Sequence, residues 1–87
     1  MTKQEKLIIK RIKAGAFILT VHARERMNER FVSEIDIVEV AKTLRSIRYQ
    51  KEKDTYLLSG LSTWKEKLMV SAALRAQVII VTVFFEG

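Results

Sequence analysis

Apolar residues recur along this chain first at helical and then at strand spacing. In residues 1–13, Leu7, Ile8, Ile9 and Ile12 gather on one side of a stretch whose other positions are mostly charged. Thr2 stands where an N-cap would, Glu5 completes a capping box, and Gly15 supplies a C-terminal stop, so a first helix is expected here. Ala16-Phe17-Ile18-Leu19-Thr20 reads as a short strand. Two more helices follow between Thr20 and Leu44. Thr20 is the expected N-cap of the first, with Ala23, Met27 and Phe31 as its apolar stripe. Ser33-Glu34-Ile35-Asp36 has the form of a capping box for the second, and Val32 and Ile37 are spaced as a hydrophobic staple. Ile37, Val40, Ala41 and Leu44 then repeat at the spacing of a one-sided helix and leave Glu34, Glu39 and Lys42 on its other side.

Beyond Leu44 the period shortens to that of a strand. Ile47-Arg48-Tyr49 and Thr55-Tyr56-Leu57-Leu58 flank polar Lys51 to Asp54, as in a hairpin, and Gly60 reads as the end of that strand. Leu68, Val70 and Ala72 alternate with Lys67, Met69 and Ser71, and Val78 to Phe85 is apolar almost throughout, which suits a central strand. The fold expected is α+β, with helices at 21–31 and 34–45 packed on one face of a small, mainly antiparallel sheet. Residues 47–85 are expected to contribute three antiparallel strands, Val78 to Phe85 central.

Length and composition narrow the class. The 87 residues suggest one domain over 1–87, and a chain this short buries only roughly 60–65% of the surface its unfolded form exposes. The core must suffice without staples, because there is no cysteine, and 48% of residues are apolar. One histidine and no cysteine give no recognisable ligand set, so neither metal nor cofactor is expected. No apolar run approaches the roughly 20 residues of a membrane span, and the charged start is unlike a signal peptide. A soluble cytoplasmic protein without membrane contact is the expectation. The net charge is +6, and residues 1–13 supply four of it: Lys3, Lys6, Lys10, Arg11 and Lys13 against Glu5. Such a segment is either a docked helix with a solvated face or an electrostatic arm for nucleic acid, with Lys10 and Lys13 as RNA contacts.

The densest cluster of reactive side chains lies in the second helix. His22, Arg26 and Arg30 recur every four residues and form one row beside the apolar stripe. His22-Ala23-x-x-Arg26-Met27-x-x-Arg30-x-Val32-Ser33 resembles the HAxxRMxxR-x-[IV]-[ST] signature of a family of small uncharacterised bacterial and phage domains. These are grouped with RelE-type and barnase-EndoU-colicin-like ribonuclease toxins. Tyr56-Leu57-Leu58-Ser59-Gly60 resembles that family's strand ending in glycine, and Ile79-Ile80-Val81-Thr82-Val83-Phe84 its terminal strand, so the likeness runs from about Phe17 to Phe84. Phe31 departs from it, since the family usually has glycine between the two helices. The resemblance implies a RelE-like fold, a toxin-like ribonuclease of a toxin-antitoxin system, RNA as substrate (ribosome-associated mRNA among the candidates) and an acidic antitoxin protein as partner.

Metal-independent RNA cleavage uses the 2′-hydroxyl as internal nucleophile, so one group must take its proton and another must protonate the leaving oxygen. His22 in a first helical turn suits proton transfer, and helix N–H groups favour phosphate there. Arg26 and Arg30 suit a phosphate clamp. Tyr49, Tyr56, Glu66 and Lys67 are the candidates for the second proton carrier. Trp64 can stack a base, and Lys67 can meet a phosphate. The bland alternatives are a His22 that merely caps or satisfies a hydrogen bond, arginines paired with glutamates, and a Trp64 that covers the core edge. As a whole-protein alternative, the chain is a non-catalytic module that binds nucleic acid or another protein.

Overall fold

Helix α1 (Lys3–Lys13) starts at a closed capping box: the Glu5 N–H donates to the Thr2 hydroxyl at 3.1 Å, and the Thr2 N–H to the Glu5 carboxylate at 2.8 Å. The computed structural model describes residues 1–86. Among them follow β1 (Phe17–Leu19), α2 (Val21–Arg30), α3 (Glu34–Lys42), β2 (Ser46–Gln50), β3 (Thr55–Leu61), β4 (Lys67–Leu74) and β5 (Val78–Phe85). The fold is therefore α+β, with three helices and a five-stranded mixed sheet in the order β1-β5-β4-β3-β2. β1 runs parallel to β5, and every other pair is antiparallel.

The stretch after α3 supplies four strands, one more than expected, because both arms of the predicted hairpin extend to full strands. β5 is internal, flanked by β1 and β4, as its lack of polar alternation required. Gly60 does not end β3 but lies within it. A Cβ there would sit 2.4 Å from the Val40 carbonyl oxygen, so glycine lets α3 approach the sheet closely. α3 itself ends at Lys42, short of the predicted 45. The Thr43 hydroxyl donates to the Glu39 carbonyl at 2.7 Å and accepts from the Leu61 N–H at 2.8 Å, tying that end to β3.

All three helices lie on one face. Ile8, Ile12, Ala23, Met27, Ile37 and Val40 join Leu58, Leu68, Val70, Ile80 and Val83 in one buried cluster, the dominant stabilising term in a domain of this kind. α2 packs over β5, whereas α3 packs over β3 and against α1. Among the described residues, the opposite sheet face carries no helix, and it exposes Ile18 and Phe84. A bulge interrupts the β4–β5 ladder: Ser71 faces Thr82 while Ala72 faces Ile80, leaving Val81 extra. Thr20 docks on that bulge, its N–H donating to Ile80 O at 3.1 Å and its hydroxyl to Val81 O at 3.0 Å.

Candidate nucleic-acid interface

Helix α2 owes its start to Thr20, whose hydroxyl accepts from the Ala23 N–H at 2.9 Å. The cap is thus taken, and His22 stands exposed in the first turn, free of the capping role a helix-start histidine often has. No acidic residue shares that turn, so the positive end of the helix dipole meets no carboxylate of its own first turn. Ala23 and Met27 are buried, while Arg24, Glu25, Asn28 and Glu29 are exposed. Arg26 and Arg30, half-buried at the edge of the packed face, both donate to the Glu29 carboxylate. The predicted row therefore exists, but with a carboxylate inserted in it. Such surface pairs contribute only about 0–1 kcal/mol, so a phosphate can displace Glu29 at little cost.

Phe31 does not continue the apolar stripe. It closes α2 in the left-handed region (φ 55°, ψ 40°) and is 89% exposed, while Val32 turns inward in its place. Glycine is the usual residue at such a helix end, so the phenylalanine sits there at a cost of about 1–2 kcal/mol. Just beyond it, the Ser33 N–H and hydroxyl donate to one oxygen of Asp36, at 2.9 and 3.2 Å. The Asp36 N–H bonds the Ser33 carbonyl oxygen, so within this cap the side-chain acceptor is the Asp36 carboxylate. The other Asp36 oxygen accepts from the Thr63 N–H at 2.8 Å and from the Thr63 hydroxyl. Burial pushes the Asp36 carboxyl up, but the bonds from Ser33 and Thr63 outweigh it and hold the group below its ordinary value.

Asp36 thereby staples the α2–α3 joint to the turn between β3 and β4. That turn is built on the buried Ser62 hydroxyl, which accepts from the N–H groups of Trp64 and Glu66 at 3.1 and 3.3 Å. Trp64 projects from it, 77% exposed, and does not cover the core edge. Phe31, two residues before Ser33, and Trp64, one after Thr63, flank the same carboxylate, with Ile35 (69% exposed) between them in sequence. Phe31, Ile35 and Trp64 are thus three exposed large apolar side chains on the segments that Asp36 ties together. Neither Phe31 nor Ile35 was singled out as a contact residue from the sequence; the family glycine expected at position 31 was the available signal.

The remaining candidates are dispersed. Lys67 opens β4 at the same end as Trp64, where its carbonyl accepts from the Glu86 N–H at 3.1 Å. Lys10 and Lys13 lie on α1, in a groove between α1 and α3. Tyr49 and Tyr56 pair on β2 and β3 with ring centroids 5.0 Å apart, and β3 stands two strand spacings from the β5 that carries α2, roughly 10 Å. The Tyr49 hydroxyl donates to Asp54 at 2.7 Å, and that bond, with Asp54's charge and some burial, raises the pKa of the phenol. Glu66 and Lys67 lie at the Phe85 end of β5, and Thr20 docks at Ile80 and Val81, a separation of roughly 15 Å along the strand. None of the four candidate proton carriers thus stands beside His22. Among the described residues, no three His, Cys, Asp or Glu side chains converge as a metal site. No helix among the described residues is long and apolar enough to cross a membrane.

No curated protein and no solved structure matches the chain. The sequence pattern of one family, described as a domain of unknown function (DUF4258), matches residues 19–85. Everything from Leu19 to Phe85 being covered, and with it both the α2 row and the Asp36 joint, the chain belongs to the DUF4258 family.

Proposed function

We propose that this domain binds single-stranded RNA along α2 and across the Asp36 joint. The observation that carries this reading is the pair of arginines, Arg26 and Arg30, on one edge of α2, with two aromatic side chains held exposed beyond its end. Arginines supply phosphate contacts, while Phe31 and Trp64 offer faces on which unpaired bases stack, at about 1–3 kcal/mol per base. A phenylalanine kept in a glycine conformation with its ring in solvent suits contact better than packing. Lys67, at the same end, extends the cationic track.

The toxin-like resemblance adds a second reading, a RelE-like ribonuclease that cleaves the bound strand and is held by an acidic antitoxin. His22 favours it, being exposed in a first turn whose N–H groups suit phosphate. In that reading His22 takes the 2′-hydroxyl proton as the oxygen attacks phosphorus, the bond from phosphorus to the 5′-oxygen breaks, and water protonates the leaving oxygen.

Titrating a fluorescent oligouridine into the wild type, Trp64→Ala and Arg26→Gln/Arg30→Gln proteins tests the first reading. Each variant should lose affinity by roughly tenfold or more, and wild-type affinity should fall steeply with salt. Equal affinity in all three would overturn it. For the second reading, His22→Ala should slow cleavage by about 10²–10⁴-fold while binding and melting temperature stay put. A wild-type protein that binds but never cleaves leaves the binding module alone standing.

A further inference from the structure

A groove of about 710 Å³ runs between α1 and α3, away from the α2 row. Ile9 and Leu44 belong to its floor, and the ammonium-bearing chains of Lys6, Lys10, Lys13 and Lys42 line it. All four lysines are exposed, no acidic side chain lines the groove, and among the described residues none of the four makes an ion pair. One wall is α1, which precedes the residues matched by the family pattern, and the other is α3, which lies within them.

We propose that this groove docks an acidic amphipathic helix of a partner protein. Four cations around an apolar floor call for an occupant that carries both complements: an apolar stripe to cover Ile9 and Leu44, and carboxylates along its flanks. A helix with leucines at i, i+3, i+4 and i+7 and glutamates beside them has that pattern on one face. RNA supplies the negative charge but nothing for the apolar floor, and the groove has neither an aromatic ring to stack a base nor an arginine fork for phosphate. The charge pattern steers the encounter and sets the polarity of the partner, while half-buried Leu44 and exposed Met1 offer it apolar contact. This inference stands on observations separate from those behind the RNA reading.

The probe is a synthetic peptide of about five helical turns, leucine along one face and glutamate on its flanks. It is added to the full chain labelled with ¹⁵N, alongside a scrambled peptide of the same composition, an oligouridine and vesicles of phosphatidylglycerol. The amphipathic peptide should shift amide signals centred on Ile9, Ala41 and Leu44 and bind more tightly than its scramble. The exposed substitution Lys6→Gln/Lys10→Gln/Lys13→Gln/Lys42→Gln should weaken it by roughly tenfold at low salt, with circular dichroism unchanged. Trp64→Ala should bind the peptide as the wild type does, which keeps failure here distinct from failure of the RNA reading. Equal binding of the scramble, shifts centred elsewhere, or displacement of the peptide by oligouridine or by the vesicles would overturn the proposal.

Discussion

Phe31 carries the sharpest conflict between local preference and observed conformation. A left-handed backbone with its ring 89% exposed gains little from packing, so replacing it by glycine removes strain and loses almost no core contact. Phe31→Gly is therefore expected to be as stable as wild type or more so, by up to about 1 kcal/mol or about 4–8 °C in Tm, while RNA affinity falls. A lower melting temperature would show that the ring packs on something structural. The residues legible in advance were those whose partners lie three positions away: Thr2 with Glu5, Thr20 with Ala23, Ser33 with Asp36. Spacing alone determines such bonds. The αL turn at Phe31 and the engagement of both arginines by Glu29 could not be read that way, because side-chain period places a residue on a face without saying where the helix stops or which rotamer wins.

At the scale of elements, Asp36 and Gly60 hold α3 to the sheet in two different ways. Asp36→Ala leaves the Ser33 and Thr63 donors without their acceptor in a site where the carboxylate is only 2% exposed, an expected loss of about 2–3 kcal/mol, or about 10–20 °C in Tm. The sign of its pH dependence follows from the lowered pKa. The unfolded chain takes up the proton first, so the contribution of Asp36 is complete above the ordinary value of 3.8 and is lost as pH falls through the lower folded-state value. Thermal melts of Asp36→Asn should accordingly lose part of the wild type's decline below about pH 4. Gly60→Ala drives a methyl group against the Val40 carbonyl and should cost about 1–3 kcal/mol, measured by urea unfolding; wild-type stability would mean that α3 can move away freely. Sequence period located α3 and β3, but the bond from Asp36 to Thr63 spans 27 residues and the Gly60 contact joins two elements, so neither leaves a local mark.

For the whole molecule, the sheet order matters more than the strand count. Helices on one face and an internal β5 were legible because burial dictates them, whereas the parallel β1–β5 pairing had no signal in a three-residue strand. The two faces then differ in kind. One is a closed core; the other, bearing Ile18, Met69 and Phe84, meets solvent.

The position of β5 has a kinetic meaning. It is the last described element along the chain, yet it joins β1, met some sixty residues earlier, to β4 and lays Val78, Ile80 and Val83 into the core. Until it emerges from the ribosome, β1 has no partner, β4 presents a bare edge, and α2 has nothing to lie on. A nascent chain that ends at Gln77 should therefore show no cooperative melt and should self-associate through the open β4 edge, which sedimentation can detect. Folding in the cell then waits on β5, and the time between its release and its insertion is when the chain is most exposed to proteases and chaperones.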